Sequence, residues 1–286
     1  MRIAILGAGR MGQGLALALA GRGIEVALGS RSSHPVAPPL RLHPAGLAGA
    51  ARDAELVLLA APDDAIAEVA AGLARADAIR PDQVVLHVSG LLDRSALEAL
   101  APSGAGLGSF HPLQTVADPR TAAERLRGAY VAVEGDARAV AAGRELAGLL
   151  GLTAVRLDAA AKPLYHAAAT VAANYLVVLL EVAERLAREA GVAPELAGKL
   201  FLPLVEGAVA NVAELGAAGA LTGPVRRGDA RTVAAHLAAL PAGDRELYRV
   251  LGLRALALAE AAGLDPGRVA RVAAALRGGE VASDAR

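Results

Sequence analysis

Apolar and polar positions follow two different rhythms along this chain, and the change between them divides it. In the first half, short apolar runs bounded by turn residues alternate with stretches of helical spacing. The runs at residues 2–6, 24–28, 56–60, 84–88, 106–109, 129–133 and 153–157 read as strands. Residues 12–21, 64–75, 92–100, 121–127 and 137–150 read as helices between them. This alternation predicts a mostly parallel, doubly wound sheet covered by helices. Residues 32–46, rich in Pro and carrying His34 and His43, read as a loop with one weak strand.

After Asp158 the strand rhythm stops. Long amphipathic stretches take over at residues 163–190, 194–215, 231–240, 245–262 and 266–276, punctuated by Gly191, Gly263 and Pro266. The pattern thus predicts an α/β N-terminal domain over residues 1–157 and an all-α domain over 158–286, with the last few residues fraying. The helix that starts at Pro163 is apolar nearly all round through Val182 and so requires burial on most of its sides. A helical domain of this size does not supply that by itself. A homodimer packed through the C-terminal helices is the expected arrangement.

Composition narrows the function. With 55% hydrophobic residues in 286 the chain buries a full core, and with 2% aromatics that core is Ala, Leu and Val. The 29 basic and 29 acidic residues cancel, which gives no electrostatic case for nucleic acid or an anionic membrane as partner. A small-molecule substrate is expected instead. The absence of cysteine excludes disulfides and thiolate catalysis, and no His, Asp or Glu grouping has metal-ligand spacing, so no metal is expected. The apolar run at residues 3–6 is too short for a signal peptide. Residues 167–180, interrupted by Thr170, Asn174 and Tyr175, fall short of a membrane span. A cytoplasmic protein is expected.

The first strand runs into Gly7-Ala8-Gly9-Arg10-Met11-Gly12, and a helix follows. A GxGxxG in that context is a dinucleotide-binding signature: Gly7 permits the turn, Gly9 admits the pyrophosphate, and Gly12 lets the helix pack on the strand. The second strand ends Gly29-Ser30-Arg31-Ser32, without the carboxylate that would bond a ribose 2′-hydroxyl, and Glu25 comes too early. A guanidinium flanked by hydroxyls suits a 2′-phosphate, so the expected cofactor is NADP. Ala61 and Pro62 close the third strand and leave room for the ribose. Ser89 closes the fourth, placed for the nicotinamide or the substrate, while His87 within that strand reads as a core histidine.

The glycine loop, Ser30-Arg31-Ser32 and Ala60-Ala61-Pro62-Asp63 together resemble the 6-phosphogluconate dehydrogenase-like superfamily. It includes β-hydroxyacid dehydrogenases, ketopantoate reductases and pyrroline-carboxylate reductases. Three further motifs are Gly108-Ser109-Phe110-His111-Pro112-Leu113-Gln114-Thr115, Lys162-Pro163-Leu164-Tyr165-His166 and Leu221-Thr222-Gly223-Pro224-Val225-Arg226-Arg227-Gly228-Asp229. They are similar to a branch of Rossmann-like oxidoreductases with a C-terminal domain of unknown function, family 2520 of such domains. The resemblance covers almost the whole chain and implies an NADP(H)-dependent oxidoreductase acting on a small polar carbonyl or hydroxy compound, ketopantoate being the first guess.

Carbonyl reduction needs a proton donor and groups that stabilise charge on oxygen. Lys162 and His166 lie four residues apart, although Pro163 biases Lys162 toward the position just before the helix. Lys162 is read as proton donor or oxyanion stabiliser and His166 as substrate orienter. The other reading is a solvated helix-start lysine and a histidine bonded in an interface. In β-hydroxyacid dehydrogenases a Lys-x-x-x-Asn occurs here; in this chain His166 stands where the Asn would fall. His111-Pro112 resembles a turn of prephenate dehydrogenases, and serves either the site or the turn alone. Gln114, Asn174 and Arg227 are candidate substrate contacts, and Asp229 is placed to cap a helix. A non-catalytic NADP(H)-binding sensor is the alternative function.

Overall fold

The computed structural model describes residues 1–32 and 35–278, so the readings on His34 and on the last few residues fall outside it. All seven apolar runs form strands: β1 (Ile3–Leu6), β2 (Val26–Gly29), β3 (Leu56–Leu59), β4 (Val84–His87), β5 (Gly106–Pro112), β6 (Tyr130–Gly135) and β7 (Thr153–Arg156). They make one sheet in the order β2-β1-β3-β4-β5-β6-β7. Every pairing is parallel except β5 with β6. Order and direction are those of a doubly wound fold with one reversal.

Helices α1 (Arg10–Ala20), α2 (Gly46–Arg52), α3 (Asp63–Arg75), α4 (Ala122–Leu126) and α5 (Ala137–Leu150) connect these strands. Alternate strand residues feed two cores, as a sheet covered on both faces requires. Ile3, Ile5, Leu56 and Leu58 pack with α1, α4 and α5, while Ala4, Leu6, Val57 and Leu59 pack with α2 and α3. Two local expectations are corrected. The stretch read as a helix at 92–100 is a 3₁₀ helix, Arg94–Ser103, with Pro102 inside it. The Pro-rich loop is followed by α2, which two glycines had obscured, and its weak strand is a single bridge from Leu42 to Leu28.

Past β7 the described chain is helical: α6 (Lys162–Ala169), a π-helical turn (Thr170–Asn174), α7 (Tyr175–Glu189), α8 (Pro194–Leu200), α9 (Leu202–Ala220), α10 (Gly223–Arg227), α11 (Ala230–Ala239), α12 (Ala242–Ala261) and α13 (Pro266–Arg277). The chain divides into compact units Met1–Val178 and Leu179–Arg286, later than the change of rhythm at residue 157. The reason lies in α6, whose first residue reaches into the strand ends and so stays with the sheet. In the second unit, Val225, Val233, Leu237, Leu256, Val272 and Leu276 form a core among α10 to α13.

The apolar helix from Pro163 is largely exposed within the chain. Leu164 is 79% exposed, Val177 67% and, on α9, Leu204 69%. By length and composition alone, Ala159–Glu189 and Pro194–Ala220 are long and apolar enough to cross a membrane, because the helices extend beyond the stretch considered at 167–180.

Candidate active site

In a doubly wound sheet, ligands collect at the carboxyl ends of the strands. At the end of β1, Gly7 turns the chain with φ +123°, and a side chain there would strike the Ala60 carbonyl. A Cβ on Gly12 would strike the Gly7 carbonyl, so α1 can approach this closely only with glycine there. Gly9 differs: it is exposed, and nothing lies within 4 Å of where its Cβ would be. Gln13 braces the loop, donating to the Ala8 carbonyl (2.7 Å) and accepting from the Ala37 amide (2.7 Å). No acidic residue occupies the first turn of α1, which leaves its positive end unopposed.

Gly7, Gly9, Ser30, Arg31, Ser32, Ala61 and Pro62 line one hollow of about 170 Å³. The structure thus brings together seven of the residues singled out for cofactor binding. Arg10 is exposed and Met11 half-buried at the start of α1. β2 ends at Gly29, and Arg31 beyond it pairs with Glu68 at 3.3 Å in a half-exposed contact that an anion can displace. An open glycine cradle, a helix N-terminus and a cation at the β2 end fit a dinucleotide phosphate.

A second cluster occupies the ends of β4 and β5. His87 is fully buried, its Nε2 on the Asp93 carbonyl (2.9 Å) and its Nδ1 accepting from the Ser89 amide (3.2 Å). Burial, foremost, pushes its pKa down to about 4. The Ser89 hydroxyl accepts from the Leu91 (3.1 Å) and Leu92 (3.0 Å) amides, so it shapes the turn where a nicotinamide or substrate contact was expected. Lys162 is the first residue of α6, with helical φ −57° and ψ −43°, and not the residue before it. Its ammonium more than offsets the conformational bias of Pro163: Nζ donates to the Ser89 carbonyl (3.1 Å) and to Ser109 Oγ (2.8 Å). Ser109 donates in turn to Glu134 (3.0 Å), whose other oxygen accepts from the Arg94 amide (3.3 Å). Lys162 is 1% exposed, with its ammonium turned to these internal partners, where a proton donor or oxyanion stabiliser was expected. It is an internal strut. Burial draws its pKa below the usual lysine range, while the Glu134, Asp93 and Asp63 carboxylates oppose the shift.

The groups that do gather are His111, Tyr165 and His166. His111 Nδ1 lies 3.2 Å from the Tyr165 hydroxyl, and its ring meets Tyr165 and His166 edge to face at 5.7 and 5.8 Å. Gly90 makes the space: a Cβ there would come within 2.5 Å of His166 Cδ2 and 2.9 Å of His111 Nε2. Burial, then the Lys162 and His166 charges, push the His111 pKa down to about 4. Burial pushes the Tyr165 phenol up.

The remaining candidates lie elsewhere. Gln114 spends its amide on the Arg125 carbonyl (2.8 Å) and the Thr115 amide (2.9 Å), holding its loop to α4. Asn174, a candidate substrate contact, is exposed at the end of the π-helical turn. Arg227 is exposed at the end of α10, and Asp229 caps α11 through the Thr232 amide (3.0 Å). Among the described residues no three His, Asp or Glu side chains form a metal-binding group. Sequence reasoning missed Ser109, Glu134, Tyr165 and Gly90. Tyr165 had the strongest signal, being next to His166 on a helix that begins beneath the strand ends.

Residues 1–112 match the family of Rossmann-like domains, and residues 129–255 match a domain of unknown function, DUF2520. The chain pairs a Rossmann-like domain with a DUF2520 domain. The DUF2520 match starts inside the sheet and takes in β6, α5 and β7. No curated protein sequence matches. Among solved structures, a Thermotoga maritima protein superposes with a TM-score of 0.68 at 22% identity, over 91% of this chain and 99% of that one. A Bacteroides fragilis protein described as a candidate NADP oxidoreductase gives 0.67 at 22%, over 91% and 98%. The Plasmodium falciparum pyrroline carboxylate reductase, with NADP bound, gives 0.60 at 14%, over 96% and 98%. At these identities the likeness is one of fold.

Proposed function

We propose that this protein is an NADP(H)-dependent oxidoreductase acting on a small polar carbonyl or hydroxy compound. One observation carries the reading: the phosphate cradle at the β1 end and the imidazole–phenol cluster at the β4 and β5 ends share one edge of one sheet. Gly7, Gly9 and the first turn of α1 (Arg10, Met11, Gly12) would hold the pyrophosphate. Ser30, Arg31 and Ser32 would hold the 2′-phosphate, and Ala61 and Pro62 leave space for ribose. A nicotinamide bound there supplies or accepts hydride. His111 and His166, packed against Gly90, would orient the substrate oxygen, while Lys162 bonds the β4 turn through the Ser89 carbonyl. Two structures on the same fold, a candidate NADP oxidoreductase and a pyrroline carboxylate reductase with NADP bound, support this reading.

Cofactor choice is tested by titrating NADPH and NADH into the protein and its Arg31→Ala variant. Losing a charge-assisted contact to phosphate weakens NADPH by about tenfold to a hundredfold and leaves NADH nearly unchanged. Equal weakening of both would sink the assignment. NADPH oxidation is then followed with a panel of keto acids, ketopantoate first, and cyclic imines second. Tight NADPH binding with no turnover across the panel would make the protein a sensor. We also propose that a second copy covers the exposed apolar helices. Glu206, Asn211 and Glu214 on α9 suit a protein interface better than lipid.

A further inference from the structure

We propose that Tyr165 and His111 form a proton relay, in which the phenol O–H donates to His111 Nδ1 and the Nε2–H of the same ring serves the substrate oxygen. The inference rests on the oxidoreductase reading above and supplies the proton which that reading requires. Its basis is the 3.2 Å contact between Nδ1 and the Tyr165 oxygen, with the rings at 90°.

The direction of that bond follows from acid and base strength. A phenol is a stronger acid than a neutral imidazole N–H, and an imidazole nitrogen is a stronger base than a phenol oxygen. O–H to N is therefore the stronger of the two arrangements. Burial and the Lys162, His166 and His87 charges around His111 keep the ring neutral against the opposing Asp63 carboxylate. A neutral ring whose Nδ1 accepts carries its proton on Nε2. That nitrogen packs against Gly90, where a Cβ would come within 2.9 Å of it, on a ring that is only partly buried at the end of β5. Lys162, by contrast, is 1% exposed, and its ammonium donates to the Ser89 carbonyl and to Ser109.

In the reducing direction, a hydride from the reduced nicotinamide nucleotide adds to the carbonyl carbon, and the C=O π pair becomes a lone pair on oxygen. The oxygen takes the Nε2 proton as the phenol proton passes to Nδ1. Water then returns a proton to Nε2, and Nδ1 gives its own back to the Tyr165 oxygen. The sum is carbonyl plus hydride plus one proton, and alcohol oxidation runs the same path backward. Without Tyr165, the donor would be left as imidazolate, a far stronger base than phenolate.

The bond direction is read directly from the full-length, nucleotide-free protein labelled with 15N-histidine, in long-range proton–nitrogen spectra between pH 6 and 8. His111→Asn assigns the signal. The relay requires His111 in the Nε2–H form, with that preference reduced in Tyr165→Phe. A proton on Nδ1, or an unchanged tautomer ratio in the variant, would overturn it; the wild-type spectrum decides alone if the variant does not fold. On a carbonyl reduced in the panel, Tyr165→Phe lowers kcat by about 10²-fold and leaves the KM for NADPH unchanged. An unchanged kcat overturns the relay as well. Failure of the wild type to bind NADPH removes the oxidoreductase reading instead, and the tautomer measurement still stands.

Discussion

Two neutral imidazoles held inside the sheet unit tie its stability to acid. His87 and His111 each have a pKa near 4, against about 6.5 in an unfolded chain. Above pH 6.5 both states are neutral and nothing is gained or lost. As the pH falls from 6.5 toward 4, the unfolded chain takes up protons that the folded one refuses, so stability declines. The slope approaches about 1.4 kcal/mol per pH unit for each histidine. In His111→Asn, melting temperature measured between pH 7 and 4.5 should fall less steeply than in the wild type; equal slopes would mean that His111 titrates normally. That Gly7, Gly9 and Arg31 share one hollow was legible in the sequence because their positions follow from local order along the chain. Ser109, Glu134 and Tyr165 were not, because they meet Lys162 and His111 only through strand pairing and helix placement. Lys162 stood out as chemistry, but no sequence pattern tells whether an ammonium faces solvent or folds inward.

Among the elements, α5 depends on a single carboxylate. Asp136 Oδ1 accepts from the Ala139 amide (2.9 Å) as the helix cap, and Oδ2 accepts from the Leu107 amide of β5 (2.6 Å). Asp136→Ala removes both and should cost about 2 kcal/mol in denaturant unfolding, with Asp136→Asn recovering part of the loss. A cost below about 0.5 kcal/mol would show that α5 is held by its apolar face alone. The seven strands and most of the helices were legible because burial on two faces writes continuous apolar runs between turn residues. Alpha and 3₁₀ spacing are harder to separate over one or two turns, hence the correction at Arg94–Ser103. The reversal at β5 and β6 leaves no mark on apolar rhythm at all.

At the scale of the molecule, the exposed apolar helices are where the proposed second copy would sit. Light scattering without detergent should return twice the mass of one chain, and Leu204→Glu on α9 should return one. A wild-type monomer, or a protein that leaves membranes only in detergent, would refute the second-copy proposal. The sheet also carries a seam. Its one antiparallel pairing joins β5 to β6, and the DUF2520 match begins at residue 129, just ahead of Tyr130. Two parallel blocks are joined there edge to edge, Phe110 opposite Val133 and His111 opposite Ala132. The first block holds the whole glycine loop at the β1 end, yet without the second its β5 edge is unpaired and α5 is missing from above it. A gene fragment cut at the seam would therefore encode a complete nucleotide motif on a self-associating, aggregation-prone polypeptide. The unit that recombination can inherit at this point is smaller than the unit that can fold.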